Sequence, residues 1–418
     1  MTETIPDSRR KAAVGFIFAT ALMDILSMGV MIPVLPNLVR QMVGGDVARA
    51  ADYSLAFAVT WGLMQFFMSP IQGMLSDRFG RRPVLLISIF GLGIDYLFMA
   101  LAPTLSWLFI GRLINGATAA SFSTANAYIA DVTAPEDRAK SYGMMGAAFG
   151  IGFVVGPAIG GWLGAYNLRW PFYLSAVLAL VNWLYGFFVL PESLPPEKRA
   201  ARFDWKKANP MGSLVLLRSK PGLLPLSGVY FLFQLAHNVF PSIFVLYVGH
   251  RFGWGPREAA YMLVATGVTS IIVQGAIVGR AVKALGERRA LLVGLFSAFL
   301  AFSIYALASS QIVFISGIFV GGLSGLINPG LQGLMTRRVG AAEQGRLAGA
   351  NSAMMGIAAI AGPALYLGLL GFAVRHEQTF HLPGLPIVVA SVLSLLAVCL
   401  AWVAAHPQSA AELALVEH

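Results

Sequence analysis

Uninterrupted apolar stretches of about 20 residues, the length that a helix needs to cross a bilayer, recur along the whole chain and restrict its fold more than any other feature. Hydrophobic residues make up 57% of the chain and charged residues only 11%. A soluble protein of this size carries about 25% charged residues. Because an ordinary buried core does not require so few charges, the sequence predicts an all-α polytopic membrane protein.

The apolar stretches number twelve, and the long polar connection at residues 191–220 divides them six and six. We therefore predict an N-terminal six-helix bundle at 1–190, a cytoplasmic linker at 191–220 and a C-terminal six-helix bundle at 221–418. The stretches are named spans 1 to 12 in chain order, and they cover residues 12–40, 53–76, 83–102, 104–132, 138–164, 170–190, 221–249, 256–281, 289–309, 311–338, 344–372 and 382–404.

Basic residues fix the predicted orientation of the chain. When both termini are placed on one side of the membrane, 22 of the 29 Lys and Arg residues fall on that side, six fall on the other and one, Arg112, lies near a span. Cytoplasmic loops carry the excess of positive charge, so both termini are predicted to be cytoplasmic. The net charge of +10 is then a signal of topology, and it requires no nucleic-acid partner.

The two halves of the chain repeat each other at an offset of 206 residues. Gly156-Pro157 recurs at that offset as Gly362-Pro363. Four more pairs of glycines share the offset: Gly80 with Gly286, Gly111 with Gly317, Gly143 with Gly349 and Gly150 with Gly356. Arg81-Arg82 is matched loosely by Arg288-Arg289. The pattern predicts a duplication of parallel topology, in which two pseudo-symmetric halves enclose a substrate site near the membrane midplane.

The segment GMLSDRFGRRPV, residues 73–84, places an aspartate and three arginines between spans 2 and 3. The arginines could act only as topology anchors. The spacing, however, resembles the G-x-x-x-D-R-x-G-R-R loop of the major facilitator superfamily, and it is carried by Gly73, Asp77, Arg78, Gly80, Arg81 and Arg82. We expect these glycines to allow a tight turn and close helix approach. The resemblance implies a cytoplasmic gate in which Asp77 and Arg81 hold the outward-facing state, with Asp131 as a partner.

The segment GIGFVVGPAIGG in span 5 carries a second motif. Gly152, Gly156 and Gly160 are four residues apart and would form a smooth face for close helix packing, while Pro157 would bend or loosen the helix. Ordinary packing explains that spacing as well. Together with Gly161, the pattern is similar to the G-x-x-x-G-P-x-x-G-G signature of drug:proton antiporters in the same superfamily.

Further segments extend the resemblance to the tetracycline-exporter branch, among them MDILSMGVMIPVLPNLVR in span 1 and FVLPES at the end of span 6. The branch implies the major facilitator fold, with twelve transmembrane helices in two pseudo-symmetric six-helix bundles in a bacterial cytoplasmic (inner) membrane. It implies transport driven by the proton gradient, with no cofactor, no metal and a monomeric protein. This chain departs from the branch where Ser270 and Ala298 replace a titratable histidine of span 8 and an aspartate of span 9.

Ionisable residues inside the spans are functional candidates, because a charge at the bilayer centre costs about 2.5–3.5 kcal/mol on insertion scales. The candidates for proton coupling are Asp24, Asp95 and His237, although each could instead be a structural hydrogen-bonding group. Other polar or sulfur-containing side chains could line the substrate cavity or could join helices to one another. These candidates are Met28, Met31, Arg112, Asn115, Asn126, Tyr230, Gln234, Asn238, Gln274, Asn328, Gln332 and Asn351.

The sequence thus predicts a proton-coupled antiporter that exports a small amphipathic compound, drug-like or metabolite, by alternating access. Two alternatives remain open: a proton-coupled symporter or facilitator that imports a small metabolite, and a transport-inactive receptor or partner-binding module. The absence of a phosphate-binding loop argues against an ATP-driven pump. The spans contain no evident nucleophile–base pair or cluster of metal ligands, so catalytic residues and enzymatic activity are not predicted.

Overall fold

A computed structural model describes residues 7–118, 121–133, 138–199, 215–220, 222–339, 343–380 and 382–405. Within these ranges the regular structure is helical and no β-strand occurs. Helices satisfy every backbone hydrogen bond inside their own segment, as the interior of a bilayer requires. The predicted all-α fold class is confirmed.

The described helices follow the predicted spans. Ten segments are long and apolar enough to cross a membrane, and one of them, Pro256–Leu307, is 52 residues long and contains spans 8 and 9. Span 4 forms a helix on each side of residues 119–120, which lie outside the described ranges. The described chain therefore accommodates all twelve predicted spans.

The first six spans are the helices Asp7–Met31 and Leu35–Met42, Val47–Phe79, Arg81–Leu101, Leu105–Thr118 and Ser121–Val132, Arg138–Tyr166, and Trp170–Val189. The last six are Leu223–His237 and Val239–Arg251, Pro256–Ile272, Gly279–Leu307 (the end of span 8 and most of span 9), Gln311–Gly322 and Ile327–Thr336, Gln344–Arg375, and Leu385–Ala404. A π-helix, Val273–Val278, lies within span 8, and a 3₁₀-helix, Leu323–Leu326, lies within span 10. Three short helices, Pro196–Lys198, Val215–Ser219 and Glu377–Phe380, lie in connections.

Spans 1 and 7 are each broken at the same place in the repeat. Span 1 leaves the α-helix at residues 32–34, where Pro33 and Pro36 remove backbone donors. Span 7 is interrupted at Asn238, which lies 206 residues after the first residue of the span 1 break. The duplication inferred from glycines thus extends to local irregularities of the helices.

Gly80 and Gly286 form an equivalent pair of turns between consecutive spans. Gly80 joins spans 2 and 3 with φ of 107°, and Gly286 bends the chain between spans 8 and 9 with φ of 75°. Residues with a side chain rarely adopt positive φ, so glycine at both positions has a conformational reason. Gly80 and Gly286, 206 residues apart, therefore share a positive φ as well as the residue type.

The chain divides into two compact units, which are described separately. The first unit comprises Met1–Gly45, Thr60–Asn209 and Trp254–Val264, and the second comprises Asp46–Val59, Pro210–Gly253 and Ala265–His418. The beginning of span 8 thus belongs to the first unit and the beginning of span 2 to the second. The bundle boundaries that the sequence predicts, 1–190 and 221–418, remain a prediction.

Within the first unit, spans 1 and 5 approach each other closely. A Cβ atom at Gly156 would lie 2.7 Å from the Cα atom of Gly29, and one at Gly29 would lie 3.1 Å from the Cα atom of Gly156. Gly152 faces Ile25, and Gly160 faces the backbone of Val30. The glycine face predicted for span 5 is therefore the face that packs on span 1, where small residues allow the two backbones to touch.

Candidate functional site

A buried polar network lies between spans 3 and 4 of the first unit. Asp95 is fully buried, and its Oδ2 accepts a hydrogen bond of 2.8 Å from Nδ2 of Asn115. Nη2 of Arg112 lies 3.6 Å from the same oxygen and completes a buried ion pair. Span 2 joins the network through Trp61, whose Nε1 donates to Oδ1 of Asn115 over 2.6 Å. The sequence reasoning selected the other three residues but missed Trp61, because aromatic residues in membrane helices are so common.

Two methionines enclose the guanidinium group of Arg112. Its Nη2 donates to Sδ of Met31 and to Sδ of Met99, each over 3.0 Å. Arg112 Nε and Asp95 Oδ1 are buried without a hydrogen-bond partner among the described residues. Because an unsatisfied buried polar atom costs about 1–3 kcal/mol, a proton or a hydrogen-bond donor would stabilise the Asp95 oxygen, and an acceptor such as a water molecule or a polar group of a ligand would stabilise the Arg112 N–H. Gly111 leaves the space for the carboxylate, since a Cβ there would lie 2.5 Å from Asp95 Oδ1.

Asp24 belongs to a second buried network, which links span 1 to span 6. Nδ2 of Asn182 donates to Oδ1 of Asp24 over 3.2 Å and to the carbonyl oxygen of Thr20 over 3.1 Å. Nearby, the hydroxyl of Ser175 donates to the carbonyl oxygen of Ser27 over 3.0 Å. Asn182 was missed by the sequence reasoning, although an amide within the apolar run of span 6 is the kind of signal that marks such contacts.

Two other predicted residues of the first half are less informative. Met28 is partly buried on span 1, one turn before Met31. The side chain of Asn126 lies outside the described part of the chain.

At the end of span 2, Arg81 brings together the predicted gate carboxylates. Its Nη1 pairs with Oδ1 of Asp77 and donates to the hydroxyl of Ser76 over 2.7 Å. Its Nε lies 3.2 Å from Oδ2 of Asp131. Asp131 also accepts a hydrogen bond of 3.1 Å from the hydroxyl of Ser193. The charged groups of this loop are therefore bound to one another and to the end of span 6.

Glu192 is a member of this cluster that the sequence reasoning missed. Its Oε1 accepts a hydrogen bond of 2.8 Å from the backbone N–H of Arg81, and its Oε2 accepts one of 3.3 Å from that of Arg82. These N–H groups begin the helix of span 3, where they lack partners within the helix and favour an anion. A Cβ on Gly80 would collide with the Glu192 carboxylate. The glutamate of the string FVLPES, at the end of span 6, thus caps the first turn of the span 3 helix.

The two loop glycines expected to allow a tight turn and close approach differ. Gly80 meets that expectation through its positive φ and its contact with Glu192. Gly73 does not, because it lies inside the helix Val47–Phe79 and a Cβ there meets no described atom within 4 Å. Arg78 is exposed, with its guanidinium carbon 5.4 Å from the ring centroid of Phe79.

A related cluster in the second repeat shows which arginines of the two halves are equivalent. It corrects the loose match of Arg81-Arg82 with Arg288-Arg289. Arg82 donates from Nη2 to the carbonyl oxygen of Phe187 over 2.6 Å and lies 5.9 Å from the centre of its ring. Arg288, 206 residues later, donates to the carbonyl oxygen of Trp402 over 3.3 Å and lies 5.6 Å from a ring centroid of that residue. Arg82 is therefore equivalent to Arg288, and the residue equivalent to Arg81 is Glu287.

A cavity of about 460 Å³ opens inside the second unit, among spans 7 to 10. Four predicted polar residues line it, namely Gln234, His237, Gln274 and Asn328. Ser270 and Ala298, the two positions at which the chain departs from the tetracycline-exporter pattern, line the same cavity. Gln274 lies in the π-helix of span 8 and donates to Oγ of Ser270 over 2.8 Å. π-Helical turns often occur at functional sites, and no feature of the sequence predicted this one.

A second cavity, of about 310 Å³, lies in the same unit beside spans 7, 10 and 11. Three predicted residues line it: Tyr230, Gln332 and Asn351. Nδ2 of Asn351 donates to Oε1 of Gln332 over 3.3 Å. Tyr230 was expected to share a face with Gln234 and His237, but the structure assigns it to this other cavity. Gln344 also lines this cavity and was not predicted.

Asn238 does not line either of these cavities. It lies at the break of span 7, where its Nδ2 donates to the carbonyl oxygen of Gln234 over 2.8 Å. A Cβ on Gly362 of span 11 would lie 2.5 Å from the Cβ of Asn238. The same carbonyl oxygen also accepts a hydrogen bond of 3.2 Å from the backbone N–H of Asn238. In this structure Asn238 therefore lies at a helix break, makes two hydrogen bonds to the preceding turn and packs on span 11.

Gly161, the last residue of the antiporter motif, faces a different neighbour from the rest of the motif. A Cβ there would lie 2.6 Å from the carbonyl oxygen of Pro256, and one at Gly164 would lie 3.3 Å from the Cβ of Pro256. Both contacts are within the first unit, which contains the beginning of span 8. Span 5 is thus packed closely on two sides, against span 1 and against span 8.

An ion pair between Asp52 and Arg375, within the second unit, was not predicted. Nη1 of Arg375, at the end of span 11, lies 2.9 Å from Oδ2 of Asp52, near the beginning of span 2. A Cβ on the neighbouring Gly371 would lie 3.1 Å from Oδ1 of Asp52. Sequence reasoning counted Arg375 only as a topology charge, because nothing in the sequence relates spans 2 and 11. Within the described ranges, no cluster of three or more His, Cys, Asp or Glu residues could hold a metal ion.

The model of the Major Facilitator Superfamily matches residues 17–363 and 226–414. The chain belongs to this superfamily. Tetracycline resistance protein, class C, of Escherichia coli is 36% identical to this superfamily member over 384 residues, which cover 92% of this chain and 94% of that protein. Tetracycline resistance protein, class G, of Vibrio anguillarum is 34% identical over 357 residues, covering 85% of this chain and 88% of that protein.

Solved structures support the fold of this superfamily member. The crystal structure of the human organic anion transporter MFSD10 (TETRAN) matches with a TM-score of 0.67 and 23% identity, covering 95% of this chain and all of the other. The family and fold predictions are therefore confirmed, and this superfamily member is a multi-pass membrane transporter of a small molecule.

Proposed function

We propose that this transporter exports a small amphipathic molecule in exchange for protons by alternating access, as a monomer in a bacterial inner membrane with both termini in the cytoplasm. The observation that carries the proposal is the buried Asp95–Arg112 pair, in which one carboxylate oxygen and one guanidinium nitrogen lack hydrogen-bond partners among the described residues. The relatives named for tetracycline resistance favour export over import. No cofactor or metal enters the mechanism.

Proton coupling follows from the chemistry of that pair. A proton on Asp95 would remove its charge and weaken its attraction to Arg112, so the guanidinium group could turn towards a polar substrate. Loss of the proton would restore the pair. A single charge that crosses 100 mV supplies about 2.3 kcal/mol, enough for ~50-fold accumulation. Asp24, hydrogen-bonded to Asn182, is a second carboxylate able to take part, and His237 is the ionisable candidate of the second half.

Alternating access also requires contacts that break on each side of the membrane. The cluster of Asp77, Arg81 and Asp131 lies at the predicted cytoplasmic end of span 2. The Asp52–Arg375 pair lies at the other end of the same span. Exposed or partly exposed ion pairs contribute only about 0–1 kcal/mol each, so they can be broken in every transport cycle.

Everted membrane vesicles provide the test. Tetracycline serves as the probe substrate because of the relatives' names, and a pH-sensitive dye inside the vesicles reports proton efflux when the probe is added. We expect uptake of the probe with simultaneous loss of internal protons, and loss of both in Asp95→Asn. Glu197→Gln is the matched control, since it makes the same chemical change at an exposed residue of the linker.

Two results would contradict the proposal. One is transport that continues unchanged when the pH gradient is collapsed, with no proton movement for any of tetracycline, ethidium or an uncharged dye. The other is a probe that moves in the same direction as the protons, which would indicate the symporter that the sequence left as an alternative.

A further inference from the structure

The cavity of about 460 Å³ in the second unit lies at the place in the repeat that the buried ion pair fills in the first unit. Six of its lining residues lie 206 residues after members of the first-half site. The equivalent pairs are Met28 and Gln234, Met31 and His237, Asp95 and Ala301, Met99 and Tyr305, Arg112 and Ile318, and Asn115 and Gly321. Five of these first-half residues, all except Met28, form or contact the salt bridge, whereas their equivalents in the second half line an open space.

The side chains explain why one site is filled and the other is open. Ala301 stands in place of the carboxylate of Asp95, and Gly321 stands in place of the amide of Asn115. Each replacement is smaller and removes polar atoms. Ile318, in place of Arg112, is shorter and has no charge. The resulting volume of about 460 Å³ lies in the range of 300–1,000 Å³ that is usual for small-molecule sites.

Aromatic rings form one wall of this cavity. The rings of Phe240 and Tyr305 meet edge to face with centroids 4.7 Å apart, and Phe302 stacks on Phe240 at 5.9 Å. The side chain of His237 is exposed, and the centroid of its ring lies 5.6 Å from that of the Phe233 ring. Such surfaces favour flat aromatic ligands, which can stack or make edge contacts with each ring.

The polar groups of the cavity are uncharged amides and hydroxyls with one imidazole. Gln234, Gln274 and Asn328 can each donate and accept hydrogen bonds. No residue among those that line the cavity carries a carboxylate, guanidinium or ammonium group. While His237 is neutral, a ligand with a net charge would therefore lose its hydration without gaining a counter-ion, which is strongly unfavourable away from water.

We propose that this cavity of the second unit binds an aromatic compound without a net charge, and that it thereby selects the substrate class of the transporter. The inference rests on the proposed transport function but specifies more: the charge of the substrate and the half of the chain that recognises it. In this assignment Asp95 and Arg112 of the first half carry the exchangeable charge, and the second half binds the substrate with His237 in its neutral form.

Binding to purified protein in lipid nanodiscs tests the charge selectivity. N-phenylnaphthylamine is an uncharged aromatic dye, and anilinonaphthalene sulfonate has the same ring skeleton with an added negative charge. We expect saturable binding of the uncharged dye and at least ~10-fold weaker binding of the sulfonate, because the cavity offers its charge no partner. Saturable binding of both dyes with equal affinity would overturn the proposal.

Substitutions in the cavity test the location. Ala301→Phe places a ring in the open space and should weaken binding of the uncharged dye by ~10-fold or more. Leu300→Phe is the matched control, because Leu300 is adjacent in span 9 but lines a separate apolar groove, and it should leave the affinity unchanged. Ser270→Phe fills the same cavity from span 8 and serves if Ala301→Phe fails to fold. Unchanged dye binding in a folded cavity-filling variant would reject the site.

A charge placed in the cavity gives an independent readout. Ala301→Asp recreates in the second repeat the carboxylate that Asp95 supplies in the first. We expect this variant to bind the cation ethidium more tightly than the unmodified protein does, and to bind the uncharged dye less tightly. An unaltered preference for the uncharged dye would contradict the assignment.

The two proposals can fail separately. Dye binding needs no gradient, so normal binding with no proton-linked flux would refute the export function and leave the cavity assignment standing. Proton-linked export that is insensitive to every cavity substitution would refute the cavity assignment alone.

Discussion

Arg81 and Glu287 lie at the same position of the two repeats, 206 residues apart, and carry opposite charges. Each forms an ion pair with a residue 50 positions further along the chain: Arg81 with Asp131 at 3.2 Å, and Glu287 with Arg337 at 2.8 Å. The partners are themselves equivalent. The contact is therefore present in both repeats with its polarity reversed, which shows that the two halves retain the pairing geometry without retaining the residues.

This reversal predicts a rescue by charge exchange. Arg81→Glu alone should place like charges beside Asp77 and Asp131 and lower the transport rate by about 2- to 5-fold. That is the scale expected for partly exposed pairs. The second repeat carries Lys283, Glu287 and Arg337 at the equivalent positions. The triple variant Asp77→Lys, Arg81→Glu, Asp131→Arg should therefore recover most of the rate. Initial rates in vesicles measure the effect, and a triple variant as impaired as the single one would show that the identity of these charges matters beyond their pairing.

The buried Asp95–Arg112 pair predicts that stability and transport can be separated. Asp95→Asn leaves a buried guanidinium group without a counter-ion, a change that costs about 3–5 kcal/mol in proteins where it has been measured. Replacing Arg112 as well, by Met, removes that charge and puts a third sulfur-containing side chain beside Met31 and Met99. We expect the double variant to regain thermal stability in nanodiscs but not proton-linked export. Recovered export would exclude Asp95 from proton coupling.

The glycine face of span 5 predicts a position-dependent effect of adding one methyl group. Gly156→Ala should separate spans 1 and 5 and destabilise the fold by about 1–3 kcal/mol, since the added atom would lie 2.7 Å from Gly29. Gly150 is on the same helix, but a Cβ there meets no described atom within 4 Å. Gly150→Ala should therefore be neutral or slightly stabilising, because alanine favours the helix. Thermal unfolding followed by tryptophan fluorescence compares the two, and equal effects would argue against the close contact.

The two turn glycines predict unequal costs for the same substitution. Gly80→Ala and Gly286→Ala both impose strain of about 1–3 kcal/mol on a residue with positive φ. At Gly80 the new methyl group also meets the carboxylate of Glu192, whereas at Gly286 it meets no described atom within 4 Å. We expect the larger loss of thermal stability for Gly80→Ala. A larger loss for Gly286→Ala would mean that the Glu192 side chain moves away from the new methyl group with little loss of stability.

A considerable part of this protein was determined by the sequence alone. The lengths of the apolar runs predict helices that cross a membrane, because each span must satisfy its own backbone in lipid. The offset of 206 residues correctly relates Gly80 to Gly286. The contact of Arg81 with Asp77 and Asp131 was expected only from the resemblance of the loop, and the turn at Gly80 is what brings these charges together.

Only the tertiary structure decided which distant side chains meet. Trp61, Asn182 and Glu192 entered the networks because spans 2 and 6 pack beside spans 1, 3 and 4, and no periodicity along the chain encodes that adjacency. The same is true of the separation of Tyr230 from His237 and of the role of Asn238 at a helix break. A cavity likewise cannot be predicted from a linear sequence. Ala301, Ile318 and Gly321 are common residue types in membrane helices, and only their packing shows that they line a cavity. Their equivalents in the first half, Asp95, Arg112 and Asn115, form the buried polar network instead.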